Sequence, residues 1–190
     1  MTKNIMIVGI GGQGTLLASR ILGAVLIAEG YDVKLSEVHG MSQRGGSVVT
    51  YVRYGEKVYS PKIEEGGADV ILAFELLEAY RTLPYLKKDG KIIVNTQQID
   101  PMPVITGAMS YPENIQEKIS KKANSIFVDA LAIAESVGNA KAVNVTLIGV
   151  LAASTDIPKE KWLTAIEKTV PEKFREVNLK AFEAGYGLKA

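Results

Sequence analysis

No cysteine occurs in the 190 residues of this sequence, and that absence restricts its chemistry more than any other count. The chain can form no disulfide and offers no thiolate to an iron–sulfur cluster or a structural zinc. Any cluster in its chemistry therefore belongs to another polypeptide. Histidine is nearly missing too: His39 stands alone, so a multi-histidine metal site cannot be built and a Ser-His-Asp triad would have to run through that one residue. Charge of one sign is also lacking. Twenty-two basic against 21 acidic residues leave a formal charge of +1, which gives no field to draw in nucleic acid or an anionic membrane. The most apolar segment, "TLLASRILGAVLIAEG", is broken by Arg20 and stops at Glu29, too short to span a bilayer. The start lacks the basic, apolar and small-residue succession of a signal peptide, and a cytoplasmic protein is expected. No repeat, low-complexity tract or linker divides the chain, and its length suits one domain over residues 1–190.

Glycine is what the sequence has in concentration. "GIGGQG" (residues 9–14) follows the apolar run "IMIV", placing four glycines in one turn. The strand "NIMIVGI", this turn, a helix over 15–29 and the strand "DVKLSEVH" read as a βαβ opening, with parallel strands and a right-handed crossover. "SVVTYVRY" and "GEKVYS", joined by a Gly55-Glu56 turn, suggest a hairpin added to the sheet. "ADVILAF" and "GKIIVNT" have the continuous apolarity of central strands. "ELLEAYRTLPYLKK" between them has helical spacing that Pro84 kinks or ends. "PENIQEKISKKA" reads as a polar amphipathic helix with proline in its first turn, "SIFVDA" as a strand, and residues 131–137 as a helix stopping at Gly138. "VNVTLIGVLAAST" is assigned to helix although its β-branched residues favour strand. Two amphipathic helices follow Asp156 and Pro158, the second with Phe174, Val177, Ala181 and Phe182 on one face. The expected fold is α/β: a Rossmann-like, open, mostly parallel sheet with an added β-hairpin and C-terminal helices.

Gly9, Gly11 and Gly14 satisfy G-x-G-x-x-G in the strand-before, helix-after context that gives the match meaning. Glycine permits the tight turn, lets backbone approach a ligand and lets helix pack near strand, while the amides at the helix start attract phosphate. Gly9, Gly11, Gly12, Gln13, Gly14 and Thr15 are thus candidate cofactor-binding residues. Glu37 ends the second strand, where an NAD-binding unit keeps its ribose carboxylate. A turn that only packs a helix on a sheet is the equal alternative. The helix after the turn is apolar almost all round through Leu16, Leu17, Ile21, Leu22, Val25, Leu26 and Ile27, which implies burial on several sides and a partner protein. Little chain is left for the separate substrate domain of a dehydrogenase.

"HGMSQRGGSV" places His39, Ser42, Gln43 and Arg44 in a loop closed by Gly45 and Gly46. Loops at the carboxyl ends of strands line the ligand crevice of an open α/β sheet, so this loop should face the glycine turn. Ser42, Gln43, Arg44, Gly45 and Gly46 are candidate substrate-binding residues, and Arg44, whose planar fork suits carboxylate or phosphate, is the one candidate for a catalytic role. A salt bridge that pins the loop or a subunit contact is the other reading of Arg44, and His39 reads as an ordinary loop histidine.

"GIGGQG", "SEVHGMSQRGGSV" ending in "VRYG", and "NVTLIG" together resemble the small subunit, called gamma in the pyruvate enzymes, of the 2-oxoacid:ferredoxin oxidoreductases. The "HGMSQRGG" form is closest to the beta subunit of the indolepyruvate enzymes. The resemblance covers essentially the whole chain. It implies an oxygen-sensitive, anaerobic complex that decarboxylates an aryl pyruvate on thiamine diphosphate, passes electrons through iron–sulfur clusters to ferredoxin and releases an acyl-CoA. The chain shows no "GDG" with following paired asparagines, the pattern that holds the magnesium of thiamine diphosphate. Thiamine diphosphate, magnesium and the clusters therefore fall to a larger partner subunit, with coenzyme A (CoA) as the co-substrate that the glycine turn and Arg44 would face. No cofactor or metal is expected to bind tightly to this chain; it is expected to be inactive alone and, in isolation, is open to pairing with a second copy. Two other readings stand beside this one: a self-sufficient NAD- or flavin-dependent reductase, and a purely architectural subunit.

Overall fold

The computed structural model describes residues 2–37 and 45–188. Six strands form one sheet: β1 Lys3–Ile10, β2 Asp32–Glu37, β3 Ser47–Gly55, β4 Ala68–Ala73, β5 Leu86–Asn95 and β6 Asn124–Val128, in the order β2-β3-β1-β4-β5-β6. The β1–β4, β4–β5 and β5–β6 pairs are parallel, and β3 runs antiparallel to both β1 and β2. The α/β architecture with a mostly parallel sheet is the one the sequence predicts.

Its left side differs in two ways. β2 runs in the same direction as β1 but is not its neighbour, because β3 is inserted between them, with Lys3 opposite Tyr54 and Ile10 opposite Ser47. The added hairpin is consequently β2–β3 and not "SVVTYVRY" with "GEKVYS". The latter segment leaves the sheet, and the Val58 amide donates instead to the Asp32 carboxylate at 2.8 Å.

Alternation along the strands loads both faces. Ile5, Ile7, Leu72 and Ile93 point to one core layer, covered by α1 Thr15–Ala28, α5 Ala130–Ser136, α6 Val143–Ala153, α7 Lys159–Thr169 and α8 Arg175–Tyr186. Met6, Val8, Ile71, Ile92 and Val94 point to the other, closed by α2 Leu76–Thr82 and α4 Ile115–Ser120. Pro84 sits in the 3-10 turn Leu83–Tyr85 that ends α2, as its missing amide and fixed φ require. α4 is shorter than its pattern: Asn114, at φ 55°, starts it, which leaves Pro112 outside. A short helix, α3 Met102–Ile105, lies in the long connection after β5.

α6 is helical despite its β-branched residues because its surroundings override propensity. Every residue from Val143 to Ala152 is buried. α8 crosses it where two glycines meet: a Cβ on Gly149 would strike the Phe182 carbonyl, and one on Gly185 the Thr146 carbonyl. The buried face of α8 carries Asn178, Ala181, Phe182 and Gly185, while Phe174 lies before the helix and is exposed. The apolar circumference of α1 is likewise covered by this chain, through the sheet, α6 and α7, leaving Leu16 and Ile27 exposed. Its all-round apolarity is thus answered within the chain and does not itself require a partner. Among the described residues no helix is long and apolar enough to cross a membrane.

Candidate functional site

The two faces of the sheet are wound from β1 and β4 in opposite directions. From β1 the chain leaves through α1 on one face toward β2; from β4 it leaves through α2 on the other face toward β5. The carboxyl ends of β1 and β4 therefore diverge into a crevice, the position where open α/β sheets bind ligands.

The glycine turn occupies this crevice, and Gly9, Gly12 and Gly14 are required there by close packing or by positive φ. Gly9 is still in β1, and a Cβ on it would come within 2.9 Å of the Phe74 Cβ and 2.8 Å of the Gln13 Oε1. Gly12 and Gly14 have φ of 102° and 82°, a region in which other residues are strained. Gly14 also caps α1 and accepts a hydrogen bond from the Asn144 amide of α6 at 3.2 Å. Gln13 is committed to the scaffold: its Oε1 accepts from the Ile10 amide (2.8 Å) and its Nε2 donates to the Phe74 carbonyl (3.0 Å) and the Gln97 Oε1 (3.3 Å). This one side chain spans the gap between the strands.

Above the turn lies a cleft of about 450 Å³ lined by Gly12, Gln13, Gly14, Gln97, Lys141 and the apolar Leu131, Ala140 and Val143. α1 starts at Thr15, directly after the lining residue Gly14, so the positive end of its dipole lies beside the cleft. Lys141 adds a full charge, on a turn whose backbone is fixed by the Lys141 amide donating to the Asn139 side chain at 2.9 Å. Backbone amides, a helix start and an ammonium around an apolar-walled cleft suit a phosphate-bearing or carboxylate-bearing molecule.

Next to the cleft a buried carboxylate fastens the connection after β5. Glu75 is fully buried. It caps α2 by accepting from the Glu78 amide (2.9 Å), and also accepts from the Ile99 amide (3.1 Å) and the Tyr111 hydroxyl (2.6 Å). Burial and the hydrogen bond to Glu75 both hold the Tyr111 phenol well above its ordinary pKa, so Tyr111 remains a donor at neutral pH. Glu75 thereby ties both ends of the segment carrying α3, on which Met102, Ile105 and Met109 are each 66% exposed. Glu78, also buried, accepts from Ser47 at 2.5 Å and pairs with Arg81 at 2.7 Å, joining the start of β3 to α2.

The structure brings the two glycine stretches together as the sequence implies. The Gly11 amide donates to the Gly46 carbonyl at 2.9 Å, and Gly45 turns at φ 97°. His39, Ser42, Gln43 and Arg44 lie outside the described residues. Glu37 accepts a hydrogen bond from Ser19 of α1 at 2.6 Å. With β3 inserted, its strand is two positions from β1, about 10 Å at the usual strand spacing, and Gly46 abuts the turn where an adenosine would cross from one strand end to the other. Sequence reasoning did not reach Gln97, Lys141, Asn144 or Glu75. Of these only Asn144 falls in a stretch that stood out, "NVTLIG".

Fold and cleft together define an open α/β domain that presents a glycine turn, a helix start and a lysine at the carboxyl edge of its sheet. The chain belongs to the pyruvate ferredoxin/flavodoxin oxidoreductase family, whose model matches residues 4–188. It is 44% identical over 188 residues to the indolepyruvate oxidoreductase subunit IorB of Pyrococcus horikoshii, covering 96% of this chain and 93% of that protein. It is 31% identical over 177 residues to the pyruvate/ketoisovalerate oxidoreductases common subunit gamma of Pyrococcus abyssi, with 91% and 89% covered. The keto/oxoacid ferredoxin oxidoreductase gamma subunit of Geobacter sulfurreducens superposes with a TM-score of 0.73 at 25% identity, covering 98% of both chains. The chain is accordingly a small subunit of the 2-oxoacid:ferredoxin oxidoreductase family, of the IorB type.

Proposed function

We propose that the chain is the subunit without redox centres of a cytoplasmic indolepyruvate-type or other aryl-pyruvate:ferredoxin oxidoreductase, and that it supplies the complex with a surface for CoA. The observation that carries this reading is the cleft at the glycine turn, where the start of α1 and Lys141 offer positive charge beside an apolar wall. CoA has the matching parts, phosphates on a long, partly apolar body, and the residues fit it. Ser42, Gln43 and Arg44 complete the reading from the sequence, since Gly46 fixes the end of their loop against Gly11. Thiamine diphosphate with its magnesium and the iron–sulfur clusters are assigned to a larger partner, because this chain has no cysteine to hold a cluster.

In this division of labour the chain's own residues bind and orient. Backbone amides at the turn and the Lys141 ammonium would neutralise phosphate charge, Gln13 and Glu75 would keep the crevice in shape, and the thiol end of CoA would be directed toward the partner. When the clusters and thiamine diphosphate are present on that partner they supply the decarboxylation and electron transfer. The exposed Met102, Ile105 and Met109 support a second reading, in which the chain only covers the partner's cofactor and binds nothing itself. An NAD-dependent reductase is the weaker alternative, given the position of β3.

Two preparations separate the subunit reading from the reductase. The isolated chain is expected to be colourless, to leave ferredoxin oxidised with any 2-oxoacid, and to leave NADH fluorescence unchanged. Co-expression with the larger subunit is expected to restore ferredoxin reduction dependent on both 2-oxoacid and CoA. Tight NADH binding, or ferredoxin reduction by the chain alone, would replace this reading with the reductase.

A further inference from the structure

At the other end of the sheet, the side chains of Arg81, Lys87, Lys88 and Lys122 surround a hollow of about 500 Å³. α2 delivers Arg81 with the Tyr80 ring, the start of β5 delivers Lys87 and Lys88, and the turn after α4 delivers Lys122. Leu83, Pro84 and Leu86 add apolar surface to the lining, Leu83 and Leu86 half-buried and Pro84 exposed, and none of the described residues lining it is acidic. In a chain of formal charge +1, this is a local concentration of one sign. Arg81 spends one nitrogen on Glu78 (2.7 Å) and remains half exposed, and Lys87 is tied to Asp69 (2.6 Å). Lys88 and Lys122 form no ion pair among the described residues; Lys122 rests 5.8 Å from the centroid of the Tyr80 ring.

We infer that this cationic cup docks an acidic segment of a partner protein. The charge pattern selects the occupant. Sites for small ligands depend on a few buried polar groups converging on the molecule, whereas here none of the lining cations is buried and they alternate with apolar side chains. Nucleic acid gains affinity from many neutralised phosphates, and only two of these cations are unpaired. A protein segment with two or three carboxylates around an apolar side chain matches both features: exposed cations that steer and orient it, and apolar lining that takes the side chain. The cup lies at the amino ends of β5 and β6 while the cleft lies beyond their carboxyl ends. The ten residues of β5 put roughly 30 Å between them, so the two surfaces can be occupied together. This inference does not depend on what the cleft binds.

The test is an amide-resolved NMR titration of the full chain with an acetylated peptide of Glu-Glu-Leu repeats. Shifts confined to residues 80–88 and 121–124, weakening with salt, are expected. The double substitution Lys88→Glu with Lys122→Glu changes only exposed side chains and should lower the affinity at least about tenfold with an unchanged melting temperature. Shifts located elsewhere, undiminished binding by the double variant, or no binding would overturn the proposal. So would stronger binding at the cup by an oligothymidylate of equal charge or by inorganic pyrophosphate, which would reassign it to nucleic acid or to a small anion.

Discussion

Gly185→Ala is expected to destabilise the fold by about 3 kcal/mol, the upper end of what overpacking costs. The added methyl would collide with the Thr146 carbonyl and its backbone neighbours in α6. Backbone cannot rotate away as a side-chain tip does. α6 is also the most completely buried helix of the fold, packed against the sheet, α1, α5 and α8, so it has no room to retreat. Gly149→Ala meets the Phe182 carbonyl from the other side of the same crossing and should cost a similar amount. The paired substitution should cost less than the sum, because a single separation of the helices relieves both clashes. Gly23→Ala is the control: nothing lies within 4 Å of the position its Cβ would take, and a helical glycine gains about 0.5–1 kcal/mol on that change. Urea unfolding of the four variants checks the order. A Gly185→Ala protein as stable as the parent would mean that α6 and α8 do not cross at these residues.

The second large effect belongs to Glu75→Ala, expected to cost about 3 kcal/mol by adding a lost helix cap of about 1 kcal/mol to two further orphaned donors. The two backbone amides and the Tyr111 hydroxyl lose their acceptor together. Where that loss falls is more informative than its size. Ile99 and Tyr111 stand at the two ends of the segment around α3, so the segment should open before the rest of the chain unfolds, with rapid amide exchange and protease cleavage between residues 98 and 111. Tyr111→Phe removes one of the three bonds and should cost about half as much. An effect of Glu75→Ala no larger than about 0.5 kcal/mol, the usual range for a surface change, would show that water replaces the carboxylate without loss.

Both effects depend on residues whose importance the sequence conceals. Gly149 and Gly185 lie far apart in the chain, and each resembles an ordinary helix weakness; only the crossing of α6 and α8 makes them necessary. Glu75 opens the helical stretch "ELLEAYRTLPYLKK", and nothing local announces that a connection of nearly twenty residues folds back over it. The strands were legible because buried parallel strands are continuous apolar runs, and the glycine turn because its spacing is dictated by backbone geometry. Strand order was less so. β3 alternates equally well as the outer member of a hairpin or as an insert between β2 and β1, and the choice is made by its long pairing with β1. The same limit hid half of the cleft. Asn144 approaches Gly14 across 130 residues of chain, and Lys141 enters beside it from the 3-10 turn Ala140–Ala142, which carries no motif of its own.

If the glycine-turn cleft presents CoA to the partner's chemistry, Lys141→Glu in the reconstituted complex should weaken the use of CoA alone. Lys141 is exposed and its side chain forms no ion pair among the described residues, so the fold should be unaffected. Reversing a charge that contacts a phosphate removes a charge-assisted interaction of about 1.5–3 kcal/mol and adds repulsion. The KM for CoA should therefore rise at least about tenfold, while the KM for the 2-oxoacid stays as it was. An assembled Lys141→Glu complex with unchanged KM for CoA would mean that the cleft does not hold CoA.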